Sequence, residues 1–171
     1  MPMTAATATA IMMAINIAKE YGVAIIFDPG SYNLIKQLKS IFKQVIDECD
    51  IITSNWKEAT TISGKQNFES VVSYFAKTVP LTALKMGRNG CSVITADEMV
   101  ALPASNVLCV DSTGAGDAFL SAFIYGLINN LPFETTAKLA NLFASFCITK
   151  LGSRSFPGSE EIRKMFRTLK I

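Results

Sequence analysis

The sequence contains no histidine at all. That single absence removes histidine-based triads, histidine-ligated zinc and imidazole acid–base chemistry. Any catalysis must rest on carboxylates, lysines, amides or a metal held by oxygen. Charge is also scarce: 18% of the 171 residues are charged, 16 basic against 14 acidic, for a net +2. A nucleic-acid or membrane footprint needs clustered excess charge, and none stands out. The four cysteines, Cys49, Cys91, Cys109 and Cys147, form no C-x-x-C pair, which excludes a metal knot or a thioredoxin motif. Their apolar neighbours suggest buried free thiols in a reducing cytoplasm. The run Pro2 to Ala18 is uncharged but lacks a basic n-region and falls short of the roughly 20 residues of a membrane span.

What the sequence has is apolar mass. Half the residues are hydrophobic, which excludes intrinsic disorder and gives one domain of ordinary size room for a core. Thr4 to Tyr21 reads as a helix. Val23 to Phe27 is a continuous apolar run of the kind found in parallel strands buried on both faces, and Asp28-Pro29-Gly30 stops it. Leu34, Ile35, Leu38, Ile41, Phe42, Val45 and Ile46 recur at helical spacing. Further strands are expected at 50–53, 80–86, 91–95 and 99–102, and further helices at 55–62, 68–76, 115–128, 133–150 and 159–169. Strand and helix alternate, then hairpin strands appear, then helices close the chain. That order predicts an α/β layered domain with a mainly parallel sheet, an antiparallel margin and no internal boundary.

The most informative stretch is Asp111-Ser112-Thr113-Gly114-Ala115-Gly116-Asp117. Two glycines flank an alanine at the start of a strongly apolar helix. Glycine lets backbone amides approach a ligand, and a helix N-terminus presents free N–H groups and partial positive charge, so together they form an anion hole. Asp117 would stand beside it and could take a proton from a hydroxyl. The plainer alternative is an aspartate complementing the helix dipole after a tight strand–helix turn. A dinucleotide fingerprint would need glycine where Phe119 stands, and no Gly-Lys-Ser/Thr string of a Walker A loop occurs.

Residues 111–119, Asp-Ser-Thr-Gly-Ala-Gly-Asp-Ala-Phe, resemble the second signature of the PfkB (ribokinase-like) carbohydrate kinases. Other segments support the resemblance in order. Phe27-Asp28-Pro29 is similar to the family's strand ending in an Asp-Pro turn, and Asn55-Trp56-Lys57-Glu58 to its Asn-x-x-Glu motif. Lys85 to Gly90 is similar to its nucleotide-binding strand–turn, while Ala140-Asn141 and Leu151-Gly152 fall where a closing helix and loop border the nucleotide.

The resemblance implies a three-layer ribokinase-like (Rossmann-like) fold and ATP-dependent phosphoryl transfer to a hydroxyl of a sugar, nucleoside or related small alcohol in the cytoplasm. Asp117 would be the base, and the amides of Gly114, Ala115 and Gly116 would stabilise the moving phosphoryl group. This apparatus is sufficient because such catalysis is mostly positioning and electrostatics. Asn55 and Glu58 would organise phosphates and hydrated Mg²⁺, with Glu58 acting through water; their spacing is equally that of a capping box, and both roles can coexist. Lys85, Gly87 and Gly90 would line the nucleotide, unless Gly-x-x-Gly marks only a hairpin turn. Asn141 would border the adenine or ribose, where by itself it is a polar helix residue. Asp111 and Thr113 match positions that in some members help hold a monovalent cation such as K⁺, although the loop Gly152 to Pro157 is a loose match there.

The family's first glycine-rich signature, lid and sugar-gripping residues have no counterpart in these residues, so the resemblance is to the C-terminal half. A sheet lacking neighbours at one edge exposes strand and apolar face. The expectation is therefore a chain that self-associates or needs a complementing N-terminal segment, or else a catalytically silent nucleotide-binding fragment.

Overall fold

The computed structural model describes residues 5–171, with side chains from residue 8 onward. The expected start of the first helix at Thr4 lies outside the described residues. By the density of their internal contacts the residues form two compact units, Met1–Lys85 with Ile94–Met99, and Met86–Val93 with Val100–Ile171.

In the first unit, α1 (Ala5–Glu20) leads to β1 (Ile26–Phe27), α2 (Tyr32–Gln37), α3 (Lys39–Glu48), β2 (Ile51–Asn55), α4 (Trp56–Ser63), α5 (Phe68–Thr78) and β3 (Leu81–Lys85). β1, β2 and β3 are parallel, with Ile26 opposite Ile51, Thr53 opposite Ala83 and Asn55 opposite Lys85. Three consecutive buried residues in β2 and in β3 mark strands covered on both faces. Ile52, Val71, Phe75 and Leu84 form the fully buried centre of this unit.

The five-residue apolar run Val23 to Phe27 yields only two residues of strand, and Val23 is 57% exposed. The cause is local. Gly22 takes a left-handed φ of 64°, and the Val23 and Gly22 amides donate to the Ala18 and Lys19 carbonyls at 2.8 and 3.1 Å, a Schellman closure of α1. The Ile25 amide then donates to the Asp50 carboxylate at 2.8 Å. Helix capping and a side chain thus consume the donors a longer strand would have used. The periodic run from Leu34 to Ile46 is likewise two helices, broken at Leu38 (φ −124°, ψ 37°), with Ile35, Phe42, Val45 and Ile46 still facing inward.

The second unit holds a 3-10 turn (Gly87–Asn89), β4 (Cys91–Ile94, whose last residue belongs to the first unit) and most of β5 (Met99–Leu102), then α6 (Ala115–Ile128), α7 (Phe133–Ile148) and α8 (Ser159–Leu169). α6 and α7 pack closely because Gly126 has no side chain: a Cβ there would sit 2.5 Å from Thr136 Oγ1. Phe123 and Leu139 are fully buried in these helices. Residues 107–110 form no strand, and Leu108 is 82% exposed. Cys109 lies on that segment and is exposed, contrary to the expectation of four buried thiols; Cys49, Cys91 and Cys147 are buried.

Candidate active site

In parallel sheets ligands gather at the carboxyl ends of strands. In the first unit the register brings Asp28, just after β1, beside the ends of β2 and β3. Asp28 Oδ2 accepts from Thr53 Oγ1 and from Lys85 Nζ, each at 2.7 Å, and Oδ1 accepts from the Gly30 amide at 3.0 Å. Lys85, expected against a nucleotide, therefore forms an ion pair here. Neither Asp28 nor Thr53 stood out as a site residue in the sequence. The strand-end rule could have found Asp28, which lies just after β1; Thr53 sits in the middle of β2 and joins the site only through its hydrogen bond to Asp28.

Asn55 caps α4. Its Oδ1 accepts from the Glu58 amide at 3.0 Å, and Glu58 Oε2 accepts from the Asn55 amide at 2.9 Å, completing the capping box. Asn55 is exposed while Glu58 is 3% exposed. Burial raises the Glu58 carboxyl above its ordinary value; the Asn55 amide opposes the rise, the Asp28 charge adds to it, and Lys85 lowers it. Asp28, Lys85, Asn55 and Glu58 thus form one electrostatic cluster. Its donors are hard oxygens of the kind that suit hydrated magnesium. No group of three or more acidic or cysteine residues fit to hold a metal directly occurs among the described residues.

In the second unit, α6 starts on Gly114, whose φ of 83° is left-handed and whose Cβ would lie 2.8 Å from the Ser153 carbonyl oxygen. Glycine is required there on both counts. No side chain caps the helix. The Ala115 amide donates to the Ser112 carbonyl at 3.2 Å, whereas the Gly114, Gly116 and Asp117 amides make no hydrogen bond among the described residues. Asp117 is exposed in the first turn. The sequence motif treated the three amides of 114–116 alike; the fold ties up the middle one.

Asp111 anchors the loop before this helix. Its Oδ1 accepts from the Thr113 amide and hydroxyl at 2.9 and 2.7 Å, and its Oδ2 from the Gly152 amide at 2.9 Å. These bonds hold its carboxyl below the usual range. Thr113 spends its hydroxyl proton on Asp111, while Asp111 Oδ2 keeps lone-pair capacity for a cation.

Gly90 and Asn141 meet around Pro103. A Cβ on Gly90 would come within 1.9 Å of the Leu102 carbonyl oxygen and 2.6 Å of the Pro103 carbonyl carbon, and Asn141 Nδ2 donates to the Pro103 carbonyl at 3.2 Å. Gly87 opens the 3-10 turn with a φ of 57°, and the Met86 amide donates to the Gly90 carbonyl at 2.8 Å. The tight-turn reading of Gly-x-x-Gly is therefore realised in the backbone.

Residues 3–160 match the pfkB family of carbohydrate kinases. The chain belongs to that family. It is 28% identical over 162 residues to the 5-dehydro-2-deoxygluconokinase of Bacillus velezensis, covering 90% of this chain and 49% of that one. Among solved structures it resembles adenosine kinase from Sinorhizobium meliloti (26% identity, TM-score 0.85, 93% of this chain and 49% of that one). It also resembles Arabidopsis thaliana ribokinase complexed with ribose and ATP (25% identity, TM-score 0.80, 96% and 53%). The fold is ribokinase-like. This PfkB-family chain spans about half the length of the curated relatives it matches. No described helix is long and apolar enough to cross a membrane.

Proposed function

We propose that the chain supplies the nucleotide-binding and catalytic part of an ATP-dependent kinase that phosphorylates a hydroxyl of a sugar, nucleoside or related small alcohol. The observation that carries this reading is the N-terminus of α6: a family signature whose helix begins on an obligatory glycine, with amides left without acceptors and an exposed carboxylate in the first turn. Asp117 acts as base on the acceptor hydroxyl. The Gly114 and Gly116 amides, with Ala115 between them, hold the negative charge of the transferring group. Asn55 and Glu58 position phosphates and a hydrated magnesium ion, which when bound neutralises phosphate charge. Gly87, Gly90 and Asn141 shape the nucleotide's surroundings, and Lys85 contributes charge from its ion pair with Asp28. Asp111 Oδ2 is the ligand this chain offers a monovalent cation.

Asp117→Asn tests the assignment. With ATP·Mg²⁺ and a panel of sugars and nucleosides, ADP release should fall by roughly 10²- to 10⁴-fold, the range of a general base, while nucleotide binding by calorimetry persists. Turnover unchanged in the variant would remove Asp117 from the chemistry. The half-length span favours a second reading, a nucleotide-binding module without turnover of its own; ATP·Mg²⁺ binding with no ADP release on any acceptor would support it.

A further inference from the structure

Helices α2 and α4, with the start of α3 and the loop after α4, line a solvent-open cavity of about 320 Å³. Lys36, Lys39 and Lys57 line it together with Tyr32 and Gln66, and no carboxylate does. Among the described residues the ion pairs engage Lys19, Lys43, Lys85 and Lys138, so none of the three cavity lysines is paired. Three exposed lysines without an ion-pair partner around one cavity stand out in a chain whose total is only +2.

Tyr32 draws two of these cations together. Lys57 Nζ lies 3.7 Å from the ring centroid and Lys36 Nζ 5.4 Å from it, within cation–π range. The same ammonium groups hold the Tyr32 phenol below its usual range, Lys57 foremost. The cavity's threonines, Thr60 and Thr61, donate their hydroxyls to the Lys57 carbonyl at 3.1 and 2.7 Å and so fix the turn that carries this lysine. Mutually repelling ammonium groups are relieved by an anion of more than one charge, and lysine binds phosphate as a point charge. The volume sits at the low end for small-molecule pockets, which suits a compact ligand.

We propose that this cavity binds the phosphate group of a small molecule, as the free ion or as a compact phosphate ester. None of its lining residues belongs to the groups assigned above to phosphoryl transfer. Calorimetric titration of the intact chain with inorganic phosphate and, separately, glycerol 3-phosphate at low ionic strength tests it. Saturable one-to-one binding of at least one probe is expected, weakened at least tenfold by Lys39→Gln/Lys57→Gln. The charge-matched pair Lys77→Gln/Lys164→Gln, neither of which lines the cavity, should bind as the parent does. Tighter binding of the ester would assign the natural ligand as an ester, and equal binding as the free ion. No saturable binding, or equal weakening in both pairs, would overturn the proposal. Because exposed lysines are replaced, an unchanged urea midpoint checks that each variant is folded, and Lys57→Met, which keeps the side-chain stem, should also bind more weakly.

Discussion

Removing the Asp28 carboxylate should unsettle more of the first unit than its position in a turn suggests. Asp28 accepts three hydrogen bonds, from Gly30, Thr53 and Lys85, and its side chain is 26% exposed against 16% for Lys85. An exposed ion pair contributes about 0–1 kcal/mol. Stranding one member of a fully buried pair costs about 3–5 kcal/mol. With most of both side chains covered, Asp28→Ala should cost about 2–3 kcal/mol, because Lys85 loses its counter-charge and Thr53 its acceptor. At about 2–4 °C per kcal/mol for a chain of this size, the melting temperature should fall by roughly 4–12 °C. Lys85→Met keeps the apolar stem and leaves Asp28 two donors, so it should cost about 1–2 kcal/mol. The double variant should lose less than the sum, with a coupling of about 1–2 kcal/mol in a urea-unfolding cycle. A second readout follows from the field at Glu58. Asp28 raises that carboxyl and Lys85 lowers it, so Asp28→Asn should shift the Glu58 titration down and Lys85→Met should shift it up, as read by carboxyl ¹³C NMR. Losses that simply add, together with a Glu58 titration indifferent to both changes, would refute the linked cluster.

Glu58 is raised from an ordinary 4.5, so the folded state holds its proton more tightly, and its contribution to stability is lost as pH rises through the raised value. Glu58→Gln keeps a capping-box acceptor and should flatten this decline in urea midpoints measured upward from about pH 4.5. Asp111 has the opposite sign: its carboxyl is held low, so its stabilisation is lost as pH falls below 3.8, and Asp111→Asn should abolish that acid loss while lowering stability near neutrality. Among the thiols, Cys49 and Cys91 are pushed up to about 11 by burial and Cys147 is raised by the same cause, so a disulfide reagent near pH 8 should label Cys109 quickly and the other three only after unfolding.

Elements whose boundaries depend on local chemistry were legible. α6 begins at its glycine, α8 follows Gly158, and β5 spans Met99–Leu102, as the sequence pattern indicates. β1 was overestimated because an apolar run states what could pair, while the Schellman closure and the Asp50 side chain decide which amides remain to do so. Cys109 was misplaced because apolar neighbours imply burial only where the chain has a layer to join. The Asp28–Lys85 pair was out of reach of any motif: its members are 57 residues apart and meet only through strand register.

Two helix N-termini carry the segments that resemble the family's motifs, and they solve the same problem in opposite ways. Every helix starts with amides that lack internal acceptors. At α4 the chain supplies its own: Asn55 and Glu58 satisfy each other's amides, so the capping box is intact before any ligand arrives. What α4 can offer a partner is an exposed amide side chain above a buried carboxylate, which suits positioning a hydrated cation and, through it, phosphates. At α6 a serine, threonine or aspartate cap would ordinarily contribute about 0.5–2 kcal/mol. Gly114 forgoes that, and its left-handed φ and contact with Ser153 leave no room for such a side chain. The amides of Gly114, Gly116 and Asp117 consequently keep their full demand for negative charge. Asp117, on the first turn, can complement the helix dipole, but its side chain accepts none of those amide bonds. Dipole complementation alone leaves those amides without acceptors, and the proposed phosphoryl-transfer role would account for both the missing cap and the carboxylate beside it.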